Sequence, residues 1–279
     1  MVMETTDRVI DGVRCAVFDS EPGGRAEAVV FVHGNPGPMD DWEVLAPAAS
    51  AFARAIAMDL PGYGRADHPR DFDYTVPGYA RYLGALLDRL GVRRAHLVLH
   101  DFGGGFGLWW GLHNPERFAS VTLINTGALK GYRWHYLAKI WQTPILGELF
   151  QLTTTASMFR SALNRDNPKP MPDAFVERVM RYADWGHRRA VLALYRATRD
   201  PERYFGSLQP KLRELDRPAC VVWGAEDKYL PARFAHQQLE TFPRAEIHVL
   251  PGLGHWPFVD DPDAVQRIVI PFLQRQVSQ

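Results

Sequence analysis

The sequence predicts an α/β protein built on a mostly parallel sheet. Three observations predict it: short apolar runs alternate with segments of helical spacing, the runs are apolar throughout, and chemically useful side chains follow several of them directly. Strands that are apolar on both faces must be covered on both faces, which is the arrangement of a parallel sheet between helices. With 279 residues the chain buries a full core as one large domain with room for an insertion.

Taken in order, RVIDGVRCAVFDS (8–20) reads as a hairpin on the sheet's edge, and six strands follow: 28–34, 53–62, 95–101, 119–125, 219–224 and 245–250. YARYLGALLDRLG (79–91) repeats apolar residues at helical spacing and stops on Gly91. ARFAHQQLETF (232–242) follows Pro231 in the same manner. From about 128 to 213 the strands vanish and the sequence turns helical and aromatic. The expected organisation is a core of 1–127 and 214–279 with a helical cap of 128–213 inserted between two strands.

Composition excludes some functions. The 32 basic and 32 acidic residues cancel, and no Lys/Arg cluster suggests a phosphate-backbone footprint, so nucleic acid is not an expected partner. MVMETTDRVI lacks the basic start and apolar core of a signal peptide, and no apolar run reaches the roughly 18 residues of a membrane span. A soluble, cytoplasmic protein without membrane association is expected. Cys15 and Cys220 lie among strand-like residues and read as two buried thiols. No His/Cys cluster has metal-ligand spacing, so no metal or organic cofactor is expected.

In an open parallel sheet ligands bind beyond the carboxyl ends of the strands, and four such places carry chemistry here. LVLHDFGGGFG (97–107) turns sharply from strand to helix, with Gly103 and Gly104 supplying the small neighbours such a bend needs, although Leu99 does not. The bend carries Asp101, and the helix start favours an ionised carboxylate there. The plainer role for Asp101 is an N-cap. FVHGNPGP (31–38) places the amide of Asn35 near the bend, where with that of Phe102 it forms an oxyanion hole, His33 being a structural hydrogen-bonder beneath the loop. A cis bond before Pro36 is expected. Asp227 in VVWGAEDKYLP (221–231) can orient a histidine, with Glu226 as runner-up, and His255 in LPGLGHWPFVDDP (250–262) is the imidazole that trades protons.

The order Asp101, Asp227, His255, together with HGNP, MDLPGYG (58–64), WGAEDKYLP and GHWP, resembles the α/β-hydrolase fold over nearly the whole chain. That resemblance implies an eight-stranded, mostly parallel sheet flanked by helices, with the inserted helical cap. Most members use serine, yet no serine here stands in a G-x-S-x-G setting. HDFGG is similar to the elbow of the epoxide hydrolases and haloalkane dehalogenases, which use an aspartate nucleophile. A carboxylate attacks a saturated carbon to form an alkyl ester, which histidine-activated water then cleaves.

The two families differ in what receives the leaving group. ALYRATRD (193–200) resembles the cap segment bearing an epoxide-activating tyrosine, which maps to Tyr195, while Tyr136 and Tyr182 are candidates for its partner. The dehalogenase resemblance makes Asn35 a halide donor, but Phe102 stands where the family's donor tryptophan belongs. Phenylalanine has no N–H, and one missing buried donor costs about 1–3 kcal/mol. The reading is therefore epoxide hydrolysis, with haloalkane dehalogenation as the alternative and a binding protein without turnover as a third. A small apolar epoxide or haloalkane and water are the implied partners, and Trp141, Tyr136, Tyr182 and Trp256 are expected to shape the pocket. Asn125 occupies the place where some dehalogenases keep their acid, a role an amide cannot serve.

Overall fold

The computed structural model describes residues 3–277; Met1, Val2, Ser278 and Gln279, which include the start of the N-terminal stretch and the last serine considered above, lie outside the described residues. Eight strands form one sheet in the order β1-β2-β4-β3-β5-β6-β7-β8. They are β1 (Thr5–Ile10), β2 (Val13–Asp19), β3 (Glu27–Val32), β4 (Arg54–Met58), β5 (Arg94–His100), β6 (Phe118–Ile124), β7 (Ala219–Gly224) and β8 (Glu246–Leu250). The first two pair as the expected antiparallel hairpin, turning at Asp11 and Gly12, and β2 meets β4 antiparallel; every other pairing is parallel.

Strands β3 to β7 are buried on both faces, which explains why their sequences do not alternate. One face packs on α2 (Val76–Arg89) and α3 (Phe102–His113), the other on α1 (Leu45–Ser50), α12 (Pro257–Asp260) and α13 (Pro262–Gln276). Helix α2 begins three residues before the periodic pattern, because Thr75 caps it by accepting from the Gly78 amide and Pro77 fits its first turn. Near the other end of the chain, α11 (Arg233–Gln237) continues into a 3-10 turn over Gln238–Glu240. Cys15 and Cys220 are buried and free.

Between β6 and β7 lie only helices: α4 (Tyr136–Gln142), α5 (Leu146–Thr153), α6 (Ala156–Asp166), α7 (Asp173–Arg181), α8 (Trp185–Ala197), α9 (Pro201–Tyr204) and α10 (Gln209–Leu215). Residues from α9 onward return to the sheet's helical layer: Phe205 fills the space above Gly105 of α3, Tyr204 packs beside Trp109, and α10 rests on α3. Among the described residues no helix is long and apolar enough to cross a membrane.

Candidate active site

Chain order places the site. The sheet runs outward from β3 to β4 and then returns past β3 to β5, so the crevice at the carboxyl ends of β3 and β5 is a switch point. Val32 pairs with Leu99 and His100 with Ile124, which sets the residues that follow β3, β5 and β6 side by side.

Asp101 sits at the bend between β5 and α3 with φ 49° and ψ −125°, a conformation that bulky residues avoid. Its side chain makes no capping hydrogen bond to α3, so the N-cap role is not the one it plays. The bend is held from outside: the Thr126 hydroxyl donates to the Asp101 carbonyl at 2.6 Å. Glycines make room for it. A Cβ on Gly34 would overlap the Asp101 carboxylate, one on Gly103 the Val32 carbonyl, and one on Gly104 the Thr126 side chain. Leu99, which breaks the small-residue rule, is accommodated by Gly107, whose missing side chain leaves space for the leucine branch.

Asp101 Oδ1 accepts from the Asn35 amide at 2.8 Å, and Oδ2 lies 3.4 Å from His255 Nε2. His255 Nδ1 donates to Asp227 Oδ2 at 2.7 Å. Asp227 is fixed by three further bonds: the amides of Tyr229 and Leu230 donate to Oδ1 at 2.7 and 2.9 Å, and Asn125 Nδ2 donates to Oδ2 at 2.6 Å. Glu226 is exposed and accepts from the Gly252 amide instead, so it is not the histidine's partner. Asn125 is not an acid but it anchors the acid, a role the sequence did not disclose.

Burial by itself would lower the His255 pKa, but Asp227 and Asp101 outweigh it and hold the imidazole up to about 10. Asp101 is moved the other way: its burial favours the neutral acid, yet His255 and the Asn35 amide hold it below its ordinary value. The resting site is an imidazolium between two carboxylates. His100, unnoticed in the sequence, donates from Nε2 to the His255 carbonyl at 2.9 Å, and burial followed by the neighbouring His255 charge lowers its pKa to about 3. His33 is the expected brace: the Leu60 amide donates to its Nε2 at 3.0 Å, and its Nδ1 donates to the Gly34 carbonyl at 2.8 Å. The Asn35–Pro36 bond is cis, as anticipated.

Above these groups is a cavity of about 580 Å³, walled mainly by apolar side chains of the helical segment, including Leu137, Phe150, Met158, Leu163 and Val191. Asn35, Asp101, Tyr195, Trp141, Tyr136, His255 and Trp256 all line it. Tyr195 is buried, and Asn35 Nδ2 donates to its hydroxyl oxygen at 3.5 Å. Burial, and then the nearby Asp101 charge, raise its pKa well above the usual phenol value, so the hydroxyl stays protonated. Phe102 stacks its ring edge-on against Tyr195, with centroids 5.0 Å apart. Tyr136 lies at the cavity's rim, half exposed and bonded to Asp166 at 2.7 Å. Tyr182 is a correction: it does not line the cavity but ends α7 beneath the Arg65 guanidinium, 5.5 Å from its ring centre. Its sequence neighbourhood is aromatic, but the end of α7 turns it toward the Asp40–Arg65 pair. Among the described residues no group of His, Cys, Asp and Glu could hold a metal ion.

A strained bend carrying a side chain between an amide donor and a histidine–acid pair, at the carboxyl end of a mostly parallel sheet, defines an α/β-hydrolase-type site. The chain matches the family model for the alpha/beta hydrolase fold over residues 27–262 and belongs to that family of hydrolases. It is 26% identical to 2-hydroxy-6-oxononadienedioate/2-hydroxy-6-oxononatrienedioate hydrolase of Burkholderia vietnamiensis, over 96% of this chain and 94% of that one. It is 27% identical to 2-hydroxy-6-oxo-6-phenylhexa-2,4-dienoate hydrolase of Burkholderia cepacia, over 90% of this chain and 88% of the relative. Haloalkane dehalogenase DbeA of Bradyrhizobium elkani superposes with a TM-score of 0.84 at 23% identity over 98% of each chain, a likeness of fold.

Proposed function

We propose that this hydrolase opens epoxides to vicinal diols through an alkyl ester on Asp101. The observation that carries the reading is a carboxylate, not a hydroxyl, at the bend, facing His255 at 3.4 Å in a cavity that also holds the protonated Tyr195 hydroxyl. Because the Tyr195 oxygen accepts from Asn35, its own proton is left for a substrate atom.

Asp101 Oδ2 attacks a ring carbon, the C–O bond breaks, and the freed oxygen takes the Tyr195 proton. Oδ1 becomes the ester carbonyl oxygen, already in contact with the Asn35 amide that stabilises it as the oxyanion in the second step. The Phe102 amide opens α3 on the other side of Asp101 and is the second donor of that hole. Esterification removes one of the two charges that hold the His255 pKa up, so the imidazolium gives up its proton, which restores the Tyr195 hydroxyl, and the neutral imidazole is at hand when a base is needed. It takes one proton of a water, the hydroxide adds to the ester carbonyl, and the bond to the diol oxygen breaks; that oxygen takes the water's second proton, so Asp101 is regenerated as a carboxylate and His255 as the resting imidazolium.

Two other chemistries are weighed by the same residues. Haloalkane dehalogenation is supported by Asn35 Nδ2 and by the buried indole N–H of Trp141, which lines the cavity without a partner; the ring of Phe102 offers the halide nothing. The relatives named for 2-hydroxy-6-oxo dienoates handle molecules with a carbonyl. Attack there by Asp101 would yield an anhydride-level intermediate rather than a stable acyl ester, which argues against that route here.

The test is to incubate the protein with a styrene-oxide-type epoxide, a bromoalkane and a 2-hydroxy-6-oxo dienoate, assaying diol, bromide and dienoate loss. His255→Gln adds the decisive measurement. An opened epoxide leaves the protein heavier by the whole epoxide, whereas a haloalkane leaves only its alkyl group. Bromide release with the lighter adduct would replace the epoxide reading with dehalogenation, and turnover of the dienoate alone would remove both.

A further inference from the structure

The oxygen that departs from an opening ring gains charge, and each donor aimed at it lowers the barrier further; Tyr195 is one such donor. The cap tyrosines proposed from the sequence do not supply the second, since Tyr136 is bonded to Asp166 at the rim and Tyr182 is outside the cavity. We propose that His135 is that second donor, presenting its Nε2–H to the leaving atom beside the Tyr195 hydroxyl. This rests on the ester-forming reading above.

His135 precedes α4, and its Nδ1 accepts the Ala138 amide at 3.3 Å. An imidazole nitrogen that accepts carries a lone pair, so in the neutral ring the proton must sit on Nε2. The cap therefore fixes the tautomer as a donor. Burial lowers the His135 pKa to about 4, with the nearby Asp101 charge the leading opposing influence, so the ring stays neutral near pH 7. A neutral imidazole can support a departing oxygen without competing with His255 for the role of base.

Position agrees with the chemistry. His135 lines the main cavity together with Asp101, and it shares a smaller adjoining pocket with Asp101, Phe102 and Tyr132. Its ring centre is 6.1 Å from that of Tyr195 and 5.1 Å from that of Tyr229, with steep interplanar angles to both. Asp101 attacks from the sheet, so the departing atom leaves toward the helical segment, where α8 carries Tyr195 and the start of α4 carries His135. The histidine transfers no proton in this scheme; it donates a hydrogen bond while Tyr195 gives up its proton.

His135→Asn separates the two jobs of this side chain. Asparagine is a good N-cap but is too short to reach the leaving atom. In single-turnover measurements with whichever of the epoxide and the bromoalkane the wild type consumes, ester formation should slow about 10- to 100-fold, the loss of one buried hydrogen bond. Ester hydrolysis, driven by His255, should stay within about twofold. Ester formation that is unchanged, or a parallel fall in both steps, would overturn the role; the parallel fall would mark His135 as structural only. Should the asparagine variant not accumulate, His135→Gln is read by the same split between steps. A wild type that forms no ester from either substrate would instead sink the reaction assigned above, and this inference with it.

Discussion

The floor and the roof of the cavity are built on different terms. On the floor, Asp227 carries four hydrogen bonds, His255 is pinned between two carboxylates, and three glycines make room for the bend, Gly34 for the Asp101 carboxylate, Gly103 for the Val32 carbonyl and Gly104 for the Thr126 side chain. In the roof the polar fixings lie at the rim, where Tyr136 and Arg165 bond Asp166 and Arg188 reaches the Ala183 carbonyl, while over the carboxylate Tyr195 has one long bond at 3.5 Å, the Trp141 indole has none among the described residues, and much of the wall is Leu, Phe, Met and Val. α5 and its approach even leave Ile145, Leu149 and Leu152 more than half exposed, at 74, 54 and 62%. The difference separates two kinds of specificity: the type of reaction is set by rigid groups on strand ends, and the choice of substrate by an adaptable apolar surface.

The sharpest way to break that contrast is to remove the carboxylate proposed as the nucleophile. Asp101→Ala should lower turnover by about 10⁴-fold or more while the protein stays folded, since members of a catalytic unit fail together. Tyr195→Phe is the roof's counterpart and, in the proposed reaction, should cost ester formation about 10²-fold, as loss of one general acid does. Rapid-quench kinetics on both variants would check the ranking. If the tyrosine variant were as damaged as the alanine variant, the roof would be part of the core machinery and the division would fall. Gly104→Ala tests the floor's packing without touching a reacting group. Its Cβ meets the Thr126 side chain that holds the bend, so a stability loss of about 1–3 kcal/mol by denaturant titration is expected.

The floor was legible in the sequence because each of its parts is local. A strand, a turn and one chemical side chain fall within about a dozen residues, and the register of a parallel sheet does the rest, bringing positions 35, 101, 227 and 255 together. What escaped notice were partners that matter through contact alone. Asn125 was excluded as an acid, yet its amide steadies the acid, and His100, the last residue of an apolar strand, braces the loop of His255. The roof was less legible. Aromatic residues at helical spacing say that a surface is apolar, not which side it faces, so Tyr195 and Trp141 fell inside the cavity and Tyr182 outside. His135 gave no signal at all, because an N-cap histidine has no sequence signature comparable to that of Ser or Asp.

Charge on the floor gives a prediction in pH. The folded pKa of His255 is raised, so its ion pairing stabilises the fold fully below the unfolded value of about 6.5 and is lost as pH climbs through about 10. Thermal unfolding should therefore show stability declining over that interval. Asp101→Asn removes one supporting charge and should move the His255 titration, followed by NMR, to lower pH, narrowing the same interval. An unmoved titration would mean that Asp227 alone sets the imidazole's charge, and the switch from imidazolium to base on esterification would lose its cause.

The smallest effect is expected where the roof meets solvent. Leu152 is 62% exposed on α5, and Leu152→Gln should change stability by no more than about 0.5 kcal/mol, since exposed helix positions with few contacts contribute little. It should also leave the rate of ester formation intact. A cavity-facing change in the same helical segment, Leu163→Ala, removes a buried side chain between the cavity and the packed helices and should cost about 2–5 kcal/mol. Before that variant unfolds, its KM for a bulky substrate should shift more than its kcat. Equal tolerance at both positions would mean that the roof is uniformly loose, and that the cavity's shape in the absence of substrate says little about which molecules it accepts.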